Sequence, residues 1–138
     1  QERLTGKDAL KNLEKQLEIL EKQKEVIRER LGLQRDEQNE LANNLKKYGA
    51  TFDEDGTLNN YFTTHDKILK EYNDKVAQWN QMTAEQQESN KDYLSNAKEI
   101  MDQAFKDLER YDKLQQELAK TQQEQIDKVQ EQIDLKVK

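Results

Sequence analysis

The sequence predicts an all-α fold, a long antiparallel helical coiled-coil hairpin with a short middle helix and a small hairpin-like turn at its tip. Three observations predict it. Pro is absent and only four of 138 residues are Gly, so helices can run unbroken. Apolar residues recur at alternating steps of three and four towards both ends of the chain. Tyr48, Phe52, Tyr61, Phe62, Tyr72, Trp79 and Tyr93, most of the aromatic residues, fall in the middle. A broad core is excluded, because the chain is 33% hydrophobic and 38% charged. Leu, Ile, Val and Phe make up 29 of the 138 residues, close to the level at which disorder becomes the default, so their arrangement in stripes has to carry the fold.

The first helix is expected over residues 6–47. From Leu10, the positions Leu13, Leu17, Leu20, Ile27, Leu31, Leu41, Leu45 and Tyr48 form a heptad seam, with Lys24, Gln34 and Gln38 at its polar sites. Thr5 with Asp8 reads as a capping box, and Gly49 supplies the left-handed residue that closes a helix. Such a helix spans roughly 60 Å. Gln34 and Gln38 have two readings: a wet stretch of seam, or residues that set register and partner choice.

Residues 48–62 break the period. Asp55-Gly56 is a turn signal anchored by Phe52 and Leu58 on either side. A calcium loop does not fit: Asp53, Asp55 and Gly56 match its third, fifth and sixth positions, but its first would be Thr51 and its twelfth Phe62.

A second helix is expected over 63–81, capped by Thr63 with Asp66 and striped by Ile68, Leu69, Tyr72, Val76 and Trp79. Thr83-Ala84-Glu85-Gln86 is a further capping box, starting a helix over 84–132 with a stripe of Leu94, Ala97, Met101, Ala104, Leu108, Tyr111, Leu118, Val129 and Ile133. The stripe weakens at Gln115, Gln122 and Gln125. From Ile133 to Lys138 the letters alternate apolar and polar, the period of a strand. The chain thus divides into a first arm (1–47), an aromatic-rich knob (48–93) and a second arm (94–138), one helical segment of a longer protein. An up-down-up bundle of three helices is the competing arrangement.

The same letters exclude several function classes. Without Cys, no disulfide, thiolate metal site or thiol chemistry is expected, and no cofactor is implied. A net charge of −6 with interleaved signs gives no basic stripe for nucleic acid, and no apolar run is long enough to span a membrane. His65 beside Asp66 lacks a partner nucleophile and reads as a solvated or capping residue, so no catalytic residue and no small-molecule substrate are expected. The candidate site is the tip: Tyr48, Phe52, Leu58, Tyr61, Phe62 and Trp79, either a buried mini-core with Trp79 as its main anchor or a partner-binding surface.

The run Lys11-Asn12-Leu13-Glu14-Lys15-Gln16-Leu17, the excursion Phe52-Asp53-Glu54-Asp55-Gly56-Thr57-Leu58-Asn59-Asn60-Tyr61 and the ending Gln132-Ile133-Asp134-Leu135-Lys136-Val137-Lys138 resemble segments of tail tape-measure or minor structural proteins of tailed bacteriophages. That resemblance implies a structural virion component, made in the bacterial cytoplasm, lying in the tail tube, helping to set tail length and expelled before the genome passes. Two readings follow: a non-enzymatic structural coiled-coil segment, or a binding module that holds a partner protein at the aromatic tip of a helical stalk. In either, the partners are proteins or further copies meeting through helical seams.

Overall fold

The structure, a computed structural model, describes residues 6–137. About 85% of the described residues are helical, and none of them lies in a β-strand. The described residues form four helices, α1 (Gly6–Lys46), α2 (Tyr61–Gln81), α3 (Ala84–Ser89) and α4 (Tyr93–Val137), with one long helix packed against another. Contacts gather in two compact units. One joins α1 up to Asp36 with α4 from Gln116 onwards, and the other holds Glu37–Gln115.

Helix α1 closes as the glycine signal predicts. Gly49 takes φ 78°, its N–H donates to Lys46 O, and the N–H of Ala50 reaches back to Leu45 O at 3.3 Å. This pair of bonds is a Schellman motif, and the buried Ala50 and Leu45 sit at its two apolar positions. Thr5 of the expected capping box lies outside the described residues.

Helix α2 starts at Tyr61, two residues ahead of the expected Thr63 cap. Asn60 occupies the N-cap position without a side-chain cap bond, because its amide is spent on the turn before it. The box at Thr83 forms in full: its hydroxyl accepts from Gln86 N–H, and Gln86 Oε1 accepts from Thr83 N–H.

Two expectations need correction. The helix beginning at Ala84 does not run unbroken to 132; α3 stops at Ser89 and α4 starts afresh at Tyr93. Ser89 Oγ donates to Glu85 O and Asn90 Nδ2 to Gln86 O, so short polar side chains compete for the helix's own carbonyls at the break. Nor do residues 133–137 form a strand, because α4 continues through Val137. Residues two apart on a helix also point to different sides, so Ile133 faces out while Leu135 is half-buried, and a short alternation is equally satisfied by a helix. Lys138 lies outside the described residues.

In the first unit Leu20, Ile27 and Leu31 of α1 are buried with Leu118 and Thr121 of α4. Past Thr121 the stripe differs from the expected one. Val129 and Ile133 are 41% and 47% exposed, and the half-buried positions are Gln125, Lys128, Gln132 and Leu135. Polar pairs serve here: Lys24 Nζ donates to Gln132 Oε1, Gln132 Nε2 donates to Glu21 Oε1, both at 2.8 Å, and Arg30 pairs with Glu124 at 3.1 Å. Leu10, expected on the seam, is 56% exposed.

The second unit holds the larger core. Leu45, Ile68, Leu108, Leu114 and Thr64 are fully buried, and Leu41, Leu58, Ala97, Ala104 and Tyr111 are buried around them. Thr64 is admitted because its hydroxyl donates to Asn60 O at 3.0 Å.

Candidate functional site

The turn at residues 49–60 is built from its own polar side chains. Gly56 N–H donates to Asp53 O and Asp53 N–H to Thr57 O, which closes a tight loop over 53–57; Phe52 and Leu58 face each other in an isolated antiparallel bridge. Gly56 takes φ 87° and no described residue other than glycine has positive φ, so the loop needs its left-handed glycine at this one position. Asp55 Oδ1 accepts from Thr57 N–H and Asp53 Oδ1 from Asn59 Nδ2. The bond from Thr57 holds the Asp55 carboxyl below its ordinary value. These acidic groups are therefore engaged with the loop's own donors, and among the described residues no group of three or more His, Cys, Asp or Glu could hold a metal ion.

Helix α4 clamps the loop. Tyr111 Oη donates to Gly56 O, Gln115 Nε2 donates to Asp55 O at 2.9 Å, and the Phe52 ring lies 5.0 Å from that of Tyr111. Gln38 of α1 donates to Gln115 Oε1 beneath Gly56. A Cβ on Gly56 would come within 2.9 Å of Gln38 Nε2, so a side chain there would push the Gln38 amide away from its bond to Gln115. Of the two seam glutamines, Gln38 is thus partnered across helices, whereas Gln34 Oε1 is buried without a hydrogen bond. Sequence reasoning puts Tyr111 on the stripe but gives it no part in the turn; neither spacing nor residue type signals a bond across 55 positions.

The expected tip residues do not gather round Trp79. They fall into separate places, because Phe62 and Trp79 sit near opposite ends of α2, about 25 Å apart at helical rise. Phe52 lies against Tyr111, and Leu58, its bridge partner, is buried. Tyr48 lines a small cavity of about 60 Å³ with Ile68, Tyr72, Ala97 and Met101, and burial raises its phenol above the ordinary range. Trp79 is half-buried and stacks on Tyr93 at 6.2 Å, with Gln87 Nε2 donating to its carbonyl. The main anchors of this unit are instead Leu45, Ile68, Leu108 and Leu114.

The remaining aromatics form a ladder. Phe62 meets Tyr61 edge to face at 5.6 Å, Tyr61 stacks on His65 at 6.4 Å, and His65 lies 4.6 Å from Phe105. Phe62 is 81% exposed at the end of this ladder, so it is no part of a core. His65 is held between two rings, not freely solvated as its sequence neighbours suggest. Among the described residues no helix is long and apolar enough to cross a membrane. No family model, curated protein or solved structure matches this chain.

Proposed function

We propose that this chain is a non-enzymatic structural coiled-coil segment in which α1 and α4 run antiparallel, of the kind found in phage tail tape-measure or minor structural proteins. The observation that carries the antiparallel reading is the order of the cross-helix pairs. In the first unit Lys24 bonds Gln132 and Arg30 bonds Glu124; in the second Glu37 bonds Arg110 and Asn44 bonds Asp107. Residue numbers rise on one helix as they fall on the other, as two antiparallel seams require. The structural reading draws further support from how the charges are used. They are spent on pairing helices and solvating faces, with Glu37 gripped by two nitrogens of Arg110. The phage assignment rests on the sequence resemblance.

Immunoblots of dissociated, purified tailed particles with antibodies raised against residues 49–60 test that assignment. The chain present in intact particles, and gone from particles that have released their genome, is the expected result. Particles that lack the chain altogether sink it.

A second reading is favoured by one feature, the 81% exposed Phe62 at the end of an aromatic ladder. Large rings left in water are frequent anchors of protein interfaces. In this reading Phe62 and Tyr61 hold a partner protein, and the coiled coil is the stalk that presents them.

A further inference from the structure

We propose that Phe62, with the ring ladder behind it, is a docking site for a basic segment of a partner protein, whose arginine side chains lie over the open ring and against Asp66, Asp102 and Glu109. The inference rests on the second reading above and names the chemistry of that partner. Phe62, His65 and Leu69 follow steps of three and four along α2, and the row is open: Phe62 is 81% exposed, Leu69 41% and the His65 side chain 43%. Phe105 joins the row from α4 through its contact with His65. The faces of the Phe62 ring thus stand in water, and an aromatic face carries partial negative charge.

Carboxylates select the occupant. Residue numbers fall on α4 as they rise on α2, since His65 meets Phe105 and Trp79 meets Tyr93. Glu109 therefore comes level with Tyr61 and Asp102 with Leu69, both on the side of α4 that carries Phe105, one turn from it in either direction. Asp66, 83% exposed, stands on α2 itself, one turn on from Phe62. Asp112 lies two turns beyond Phe105, and burial raises its carboxyl above the ordinary value. None of Asp102, Glu109 and Asp112 has a side-chain hydrogen bond or ion pair with a described residue, although Lys106 and Lys113 follow the first two at helical spacing. The acidic stretch ends at Lys98, one turn before Asp102.

An apolar helix laid on this row would strip water from those unpaired carboxylates without replacing it. A basic segment pairs with them as it covers the ring. Guanidinium is the cation that both stacks on an aromatic face and bonds a carboxylate through two nitrogens. Ile100, also on α4 and 62% exposed, lies instead in a groove that Lys47 and Lys75 share with Glu71 and Asp107, so it serves as the control for bare apolar exposure.

Calorimetric titration of the full chain with a short Arg-Gly repeat peptide tests the site. A dissociation constant on the order of 0.1 mM is expected, weakening as salt is raised. Phe62→Leu keeps an apolar side chain but removes the ring face, so it should weaken binding about tenfold, whereas Phe62→Tyr should keep it. Asp102→Lys and Glu109→Lys should each weaken binding about fivefold at unchanged helix content. Ile100→Ser, and Glu14→Lys in the other unit, should leave it as it is. No binding at millimolar peptide, equal weakening by Glu14→Lys and Asp102→Lys, or a Phe62→Leu chain that binds as the parent does each overturns the proposal. A neutral Trp-Gly repeat peptide separates this failure from that of the reading beneath it. If the neutral peptide binds the parent chain but not Phe62→Ser, while the Arg-Gly peptide binds neither, Phe62 holds a partner that is not basic; if neither peptide binds, the partner-binding reading fails as well.

Discussion

Tyr111, in the middle of α4, donates its hydroxyl hydrogen to the backbone carbonyl of Gly56 at the crest of the turn. With Phe52 packed on the same ring, one buried side chain holds a loop that would otherwise depend on its own short-range bonds. Tyr111→Phe keeps the ring and removes the bond, so a loss of about 1 kcal/mol is expected. Tyr111→Ala also opens the space beneath Phe52, with an expected cost of about 3–5 kcal/mol. Denaturant melts give both values, and faster exchange of the Thr57 and Asn59 amides in Tyr111→Phe would place the effect in the turn.

The glycines separate backbone strain from crowding. Gly32 sits inside α1 with nothing within 4 Å of where a Cβ would stand, so Gly32→Ala should stabilise by about 0.5–1 kcal/mol. Gly49 has the same open space but φ 78°, so Gly49→Ala should cost about 1–2 kcal/mol. Gly56→Ala adds a clash with Gln38 to a φ of 87° and should be the worst of the three. Thermal melts of the three variants test this order; a stabilising Gly49→Ala would contradict it.

The Arg110 bond holds the Glu37 carboxyl below its ordinary value of 4.5. A carboxyl whose pKa is lower in the folded state contributes stability that is full above its unfolded value and lost as pH falls through the folded one. Both side chains are about 40% exposed, so the pair is worth no more than about 1 kcal/mol. Glu37→Gln should therefore melt slightly below the parent chain at neutral pH, with the gap shrinking below pH 4.5. A gap that widens on acidification would reverse the assigned sign.

Exposed and buried positions of the second unit should part sharply. Phe62→Ser is expected to leave the stability within about 0.5 kcal/mol of the parent, because the ring already lies in water. Leu114→Ala should cost about 2–5 kcal/mol, since it empties a fully buried site. Trp79→Ala should fall between them, losing its stack on Tyr93 but not a place in the core. A melt in which Trp79→Ala exceeds Leu114→Ala would restore Trp79 as the main anchor.

Local signals in the sequence are reliable where one turn of chain contains both partners. The Thr83 box, the Gly49 closure and the Asp55-Gly56 turn are each complete within about six residues, so residue type and spacing suffice. The heptad seam of α1 is legible for the same reason: Leu20, Ile27, Leu31, Leu41 and Leu45 repeat on one face whatever covers it. The break at Asn90 escapes such reading because the side chains that compete for helix carbonyls there are ordinary surface residues in any other helix.

By itself the sequence determined the helical class, the long arms, and the place of the turn, since Pro, Gly and apolar spacing act locally on the backbone. Only the tertiary structure decided which face of α4 is covered. Ile126, Val129 and Ile133 are apolar at helical spacing, yet Gln125, Lys128, Gln132 and Leu135 occupy the half-buried row, because the stripe that packs is set by the register of the helix opposite, where Lys24 and Glu21 take Gln132. The same holds for the tip. Its aromatics cluster in sequence, but α2 carries Phe62 and Trp79 to opposite ends, and the turn finds its ring partner on α4, which no local pattern encodes.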